Sequence, residues 1–337
     1  MTAATATHLG SRVLGRGTSV WPLFLVFMIV ALIGASLPLW TAGSPFLLML
    51  ASHAIVAAIL ALSLDLLTGN TGLLSFGHAA WYGFGAYAAG LISKFVSGEL
   101  FIILPIVLTW AIIAALLIGV ILVRQIGKTF AILTLALSQI FYALVFVLSG
   151  WTGGEDGLQG VPLMTVFGRQ VTSPQAWYWL LYSVLVLVLA GALYLRITPL
   201  GRAWLAIREN TERARFIGIN AQRLKLLSFV ISAAVAALAG SLFVLFNGAV
   251  SPDVLNWFES GKILMYVVFG GVGTIVGPVV GATVFTFAEH YVSSFTDSWL
   301  IYFGGLFVIF VIVAPGGLFG IAGSAMARLS AMREARS

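Results

Sequence analysis

The sequence predicts an all-α, polytopic transmembrane helical bundle of about ten membrane segments, arranged as two inverted halves with glycine-broken helices. Three observations carry that expectation. The 337 residues are 61% hydrophobic and only 8% charged, with a mean hydropathy of +1.08, well outside the range of a soluble domain. The apolar stretches are continuous rather than alternating, which argues against a β-barrel. The cations gather in the short connections between those stretches.

Composition bounds the function before any motif is read. The absence of cysteine excludes disulfides and thiol chemistry and leaves the compartment open. The net charge of +6 and the pI near 9.8 come from arginines in loops between spans. They signal topology, not nucleic-acid binding.

Residues 1–20 are polar and carry Arg12 and Arg16 ahead of the first apolar run, which predicts a cytoplasmic tail. The run 21–39 is long for a signal core and lacks a clear small-x-small site, so it reads as an uncleaved span. Apolar segments follow at 46–67, 69–91 (Gly-rich), 101–123, 130–149, 177–195 and 226–246, then a broken segment at 263–291 and a last one at 299–320. Splitting the broken segment, with a turn over 270–278, brings the count to ten. Residues 21–320 are then one membrane domain with a cytoplasmic loop at 196–225, and 321–337 form a second cytoplasmic tail. With the N-terminus inside, fourteen of seventeen cations fall on the inner side, leaving Lys94, Arg169 and Lys262 outside. Nine spans would expose the C-terminal arginines instead. The largest outer loop, 150–176, carries Trp151, Glu155 and Asp156 and is too short for a soluble domain.

The loop 196–225 holds seven cations against two acids, +5 of the chain's +6. Pro199 suits a first helical position, and Leu200, Ala203, Trp204 and Ile207 follow at i, i+3, i+4 and i+7. Asn210 can cap a second short helix with Glu212 in its first turn, and Gly218 can end it. Two helices this short cannot bury a core alone, so they need a partner surface. Anionic lipid and a protein groove both fit a basic loop carrying Trp204 and Ile207.

Two glycine-broken stretches, NTGLLSFGHAAWYGFGAYAAG (70–90) and FGGVGTIVGPVVGA (269–282), each follow a long apolar span, and those spans run in opposite directions. Paired breaks in inverted halves point to a substrate path. Asn70, Gly72, Ser75, Gly77 and His78, with Gly271, Gly273, Thr274 and Gly277, are therefore expected to line one cavity near the midplane. Ser75 can cap the helix that starts next, and a helix N-terminus there suits a substrate carboxylate. The plainer alternative gives Gly83, Gly85 and Gly90 to close helix packing and His78 to a structural hydrogen bond. Asp65 is expected to cap or pair locally, Glu289 and His290 to meet water near an outer helix end, and His53 to be a satisfied core histidine.

Enzyme signatures are missing. Gly127-Lys128-Thr129 has the end of a phosphate loop, but Leu122 stands where that loop needs glycine. Gly271-Val272-Gly273 precedes no dinucleotide-binding unit, and no metal-ligand spacing occurs. The sequence predicts no cofactor and no enzyme activity of its own; uphill transport would draw on an ion gradient or a separate motor.

The blocks TGLLSFGHAAWYGFGAYAAG, GRAWLAIRENTERARFIGIN, SFVISAAVAALAGSLFVLFNGAVSPD and FGGVGTIVGPVVGA, in that order, closely resemble the branched-chain amino acid ABC-importer permeases of the LivM type. The resemblance runs from about residue 46 to 319. It implies that the basic loop is the segment that docks on an ATP-binding subunit, since Gly201, Arg202, Arg208, Glu209, Asn210 and Gly218 match that pattern with Ala206 and Ile207. Trp204 and Ile207 then become apolar anchors in the partner's groove. It also implies a LivH-type permease subunit, two ATP-binding subunits that use the ATP, and an extracytoplasmic solute-binding protein, all at a bacterial inner membrane with both termini cytoplasmic. Two departures stand out: Trp81 where the family often has phenylalanine, and Gly316 where it usually has arginine. A urea or short-amide importer and a self-sufficient ion-coupled transporter remain as alternatives.

Overall fold

The computed structural model describes residues 21–40, 44–125, 127–295, 298–313 and 316–320. The expected cytoplasmic tails at 1–20 and 321–337 lie outside the described residues. The described chain is helical almost throughout: α1 (Trp21–Trp40), α2 (Pro45–Thr71), α3 (His78–Phe95), α4 (Leu100–Leu122), α5 (Lys128–Val147), a single turn α6 (Ser149–Thr152), α7 (Pro174–Ile197), α8 (Pro199–Glu209), α9 (Thr211–Phe216), α10 (Ala221–Asn247), α11 (Trp257–Gly270), α12 (Val276–Ser293) and α13 (Trp299–Val313). A two-residue hairpin, β1 (Thr165–Val166) with β2 (Arg169–Gln170), is the sheet among the described residues. Five helices, α2, α4, α5, α7 and α10, are long and apolar enough to cross a membrane.

The two longest helices form the centre. α2 and α10 each run 27 residues, about 40 Å at 1.5 Å per residue. Ser44 caps α2 by accepting from the Leu47 N–H at 3.4 Å, and Asn220 caps α10 by accepting from Arg223 at 3.1 Å. Most of both helices is enclosed by protein, whereas α4, α5 and α7 turn Leu117, Ile121, Ile132 and Leu187 outward. In a bundle inside a bilayer such faces meet lipid.

α3 crosses α10 at near backbone contact. A Cβ on Gly85 would meet the Ala237 carbonyl oxygen at 2.0 Å, and one on Gly240 would meet the Tyr82 carbonyl at 1.8 Å. Ser241 adds a hydroxyl donated to the carbonyls of Ala237 and Gly85, at 2.8 and 3.2 Å. Gly83 and Gly90 likewise face Leu255 and Leu158 too closely for a side chain. These are packing glycines, and the crossing they allow is the tightest element of the core.

Helix α2 ends at Gly72 (φ 74°), whose N–H returns to the Thr68 carbonyl, and α10 ends at Gly248 (φ 74°), whose N–H returns to Val244. The left-handed turn that closes each helix favours glycine. Three residues on, Ser75 Oγ accepts from the Gly77 N–H at 3.2 Å and Ser251 Oγ accepts from Asp253 at 3.3 Å. An irregular segment then leads into the next helix, α3 in one case and α11 in the other. Residues 248–256 thus leave α10 as 72–77 leave α2, a pattern that the glycine-rich stretch at 269–282 does not share. That stretch is instead the short turn 271–275 between α11 and α12, with Gly271 at φ 115° and Gly273 at φ 81°.

Candidate functional site

The basic loop at 196–225 folds as its caps indicate. α8 starts on Pro199. Asn210 Oδ1 accepts from the Arg213 N–H at 2.9 Å to open α9, and Gly218 follows at φ 85°. Gly201 sits where the chain turns out of α7: a Cβ there would meet the Leu195 carbonyl at 2.4 Å. Trp204 and Ile207 are each only 1% exposed, and the Trp204 indole N–H donates to the Leu224 carbonyl at 2.8 Å. Their partner surface is this chain's own bundle. The side chains read from the sequence as anchors for a foreign groove thus fasten α8 to the start of α10 instead. The apolar stripe finds its cover within the molecule because α10 begins only a few residues beyond α9. What the loop presents outward is Arg202, Glu209, Asn210, Arg213 and Arg215, with Phe216 91% and Ile217 73% exposed beside them.

Below that loop the glycine-rich segments meet. Asp65, buried on α2, accepts from the Gly273 N–H on Oδ1 at 2.6 Å and from the Ile275 N–H on Oδ2 at 3.3 Å. Its partner is thus not local: it caps the turn before α12, 208 residues away. Arg196, in the last turn of α7, donates to the Gly273 carbonyl. Arg208, on α8, donates to the Gly69 carbonyl. Backbones are close here as well, since a Cβ on Gly69 would meet Gly273 Cα at 2.8 Å. Thr274 Oγ1 donates to Gly271 and accepts from Gly277, at 2.8 and 3.0 Å, closing the turn. Gly273 therefore packs against α2 and Arg208, with Gly271, Thr274 and Gly277 beside it in the turn, while Asn70 is buried at the end of α2 and Gly72 lies against Arg208.

His78 lies elsewhere, against α10. Its Nε2 is 2.7 Å from Ser232 Oγ, and Ser232 donates its proton to the Ser63 carbonyl. The serine oxygen must therefore accept, which fixes the proton on Nε2. The N-terminus of α3 is also occupied: Phe76 N–H donates to Thr134 Oγ1 and Ala79 N–H to Ser260 Oγ, both at 3.1 Å. Ser75 caps the turn ahead of α3, not α3 itself, and Gly77 packs on the Thr134 carbonyl. So the first break and the 271–275 turn are linked through α2 and Arg208, while the His78 ring is held by α10.

Two other sequence readings change. Lys262, assigned to an outer loop by charge alone, is inside α11 and pairs with Glu259 at 3.2 Å and with Glu289 at 3.3 Å. Glu289 is therefore an ion-pair partner and not merely a water-facing acid. His53 sits edge-on between Phe243 and Phe246, as a core histidine would. Arg196, Ser232, Phe216 and Ile217 are not singled out by the sequence, and for Asp65 the distant partner is missed. The signal for the inner cluster was an acid and a basic residue, Asp65 and Arg196, each within two turns of the inner end of a long apolar helix.

A multi-helix membrane protein with a rigidly seated basic loop and broken inner helices is the architecture of a transport permease. Residues 46–315 match the family described as the branched-chain amino acid transport system / permease component, and the chain belongs to that family. It is 31% identical over 292 residues, 80% of this chain and 69% of the other, to the high-affinity branched-chain amino acid transport system permease protein LivM of Escherichia coli (strain K12). It is 26% identical over 293 residues, 78% of this chain and 91% of the other, to the LivH permease protein of Salmonella typhimurium. A more distant similarity, 26% over 321 residues, 90% of this chain and 85% of the other, links it to the autoinducer 2 import system permease LsrC of Yersinia pestis. No solved structure matches the chain.

Proposed function

We propose that this chain is the membrane-spanning permease subunit of an ABC importer for branched-chain or related hydrophobic amino acids. In this reading it forms the translocation path with a LivH-type partner. Two ATP-binding subunits drive it and a solute-binding protein delivers the substrate from outside. Family membership supports the class. The observation that carries the coupling role is the loop itself: its apolar stripe is buried in the bundle, yet it holds Phe216 and Ile217 out among Arg213, Arg215 and Glu212. An exposed apolar pair ringed by charge is the composition of a docking spot.

We place ten segments in the membrane, α1–α5, α7 and α10–α13, with both termini cytoplasmic. The halves are then α2–break–α3 and α10–break–α11 in inverted orientation, and the inner ends of α2, α7 and α11 meet the coupling loop. The path runs beside the first break, from Ser75, Gly77 and His78 toward Asn70 and Gly72, with the turn at Gly271, Gly273, Thr274 and Gly277 at its inner end. Coupling uses Gly201 and Gly218 to shape the loop, Trp204 and Ile207 to seat it, and Arg202, Glu209 and Asn210 on its outer face, with Arg208 turned toward α2. The test is uptake of labelled leucine by proteoliposomes holding this chain with its permease, ATPase and binding-protein partners, with ATP inside. Uptake that needs all partners supports the reading. Uptake of urea but not leucine would favour the short-amide alternative, and uptake without the ATPase subunits would favour a secondary transporter.

A further inference from the structure

Arg208 matches the family pattern in a loop read as the ATPase docking segment, but its guanidinium points the other way. Its Nη1 donates to the Gly69 carbonyl in the last turns of α2. A Cβ on Gly273 would meet that same Nη1 at 2.6 Å, and one on Gly72 would meet Arg208 Cγ at 3.3 Å. One side chain therefore touches the last turns of α2, the glycine that opens the first break, and the turn joining α11 to α12. The neighbouring groups complete the arrangement: Arg196 holds the carbonyl of Gly273 while Asp65 holds its N–H. α8 is also fastened by Trp204 and Ile207, both buried within a turn of Arg208.

We propose that Arg208 is a positioning residue: it ties the coupling loop to the first break and the 271–275 turn, so that movement of α8 becomes movement of the inner ends of α2 and α12. The proposal rests on the reading of 196–225 as the ATPase coupling loop. Arginine suits this role because a planar guanidinium offers several donors at fixed angles and stays charged, so it can hold backbone carbonyls as lysine's single ammonium point cannot. The glycines suit it because any side chain at 69 or 273 would take the space the guanidinium or the facing backbone fills.

The experiment uses the complete importer in proteoliposomes, with wild type, Arg208→Ala and Arg208→Lys compared by three readings: ATPase subunits retained on purification, basal ATP hydrolysis, and leucine taken up per ATP hydrolysed. The expected result is full retention and basal hydrolysis within twofold of wild type. Uptake per ATP should fall at least tenfold in Arg208→Ala and less in Arg208→Lys. A merely structural residue would lower all three readings together. Release of the ATPase subunits by Arg208→Ala would make Arg208 a docking residue and overturn the proposal. An unchanged ratio of uptake to hydrolysis would overturn it too. Should the alanine variant fail to accumulate, Arg208→Lys decides alone: a ratio equal to wild type refutes the tie. A wild-type complex that retains no ATPase would overturn the coupling reading itself, an outcome visible before any variant is examined.

Discussion

Replacing Trp204 by alanine separates a seated loop from a docking anchor. The side chain is 1% exposed and its N–H serves the Leu224 carbonyl at 2.8 Å. Truncating a buried tryptophan costs about 3–5 kcal/mol, and the carbonyl left without its donor adds about 1–3 kcal/mol if water cannot reach it. Ile207 and Arg208 also hold α8, so the loss loosens the loop without removing every contact that seats it. At roughly 2–4 °C per kcal/mol, a loss of 3 kcal/mol lowers the melting temperature of the purified permease by about 6–12 °C, with no ATPase present. The contrasting variant is Phe216→Ala with Ile217→Ala. Both residues are already in solvent, so stability should move by no more than about 0.5 kcal/mol. Burying such side chains in a partner is worth about 1.5–3 kcal/mol each, about 3–6 kcal/mol for the pair, so ATPase affinity should fall about 100- to 10,000-fold. Thermal unfolding followed by size-exclusion, and titration with the purified ATPase subunit, read the two effects separately. If Trp204→Ala melts with wild type yet loses the ATPase, the tryptophan is a surface anchor and the loop is not seated as described.

Other expectations follow from the packing. Gly240→Ala should prevent accumulation of folded protein, because its Cβ falls 1.8 Å from the Tyr82 carbonyl, whereas Gly191→Ala, with nothing within 4 Å, should be silent in the same expression assay. Gly77→Leu would not plug a path in an intact complex: a Cβ there lies 2.2 Å from the Thr134 carbonyl, so the variant should lose thermal stability before uptake is measured. Ser232→Ala removes the acceptor for His78 Nε2 and the donor to Ser63, and should cost about 1–3 kcal/mol, read as a lower melting temperature. Cysteines introduced at Phe167, 82% exposed at the hairpin tip, and at Arg223 should react with impermeant reagents from opposite sides of the membrane. Thr152 is a poorer outer marker because it is buried.

The sequence carried the parts of the fold that depend on local pattern. Long apolar runs, the Pro199 and Asn210 helix starts, the turn between α11 and α12 and the packing role of Gly85 all follow from residues close in the chain. What it did not carry is direction. An i, i+3, i+4, i+7 stripe says that Trp204 and Ile207 share a face, but not whether the covering surface is foreign or the chain's own α10. Lys262 shows the same limit from the other side. A lone cation beside an apolar run reads as a loop residue until its partners are known, and Glu289 lies 27 positions away. Asp65 and Gly273, 208 positions apart, meet only because α2 and the turn before α12 end at the same level.

The buried hydroxyls of α5 show how the two breaks depend on each other. A helix that ends at a left-handed glycine leaves the next residues without periodic hydrogen bonds, and at membrane depth each such group must find a partner inside the protein. Thr134 Oγ1 accepts from the Phe76 N–H in the first break, and Ser138 Oγ donates to the Leu255 carbonyl at 2.8 Å in the second. These residues are four apart, hence on one face of α5. A single helix face thus satisfies the irregular backbone of both halves. The outer end of the second break is closed similarly: Leu158 and Val250 exchange both backbone hydrogen bonds, at 2.9 and 3.0 Å, and the Val161 N–H reaches the Gly248 carbonyl at 3.0 Å. Residues that read as scattered polar substitutions in apolar helices are therefore the partners of 72–77 and 248–256. One α5 face thus carries a hydrogen bond to each of the two segments, so a shift of that face is felt by both.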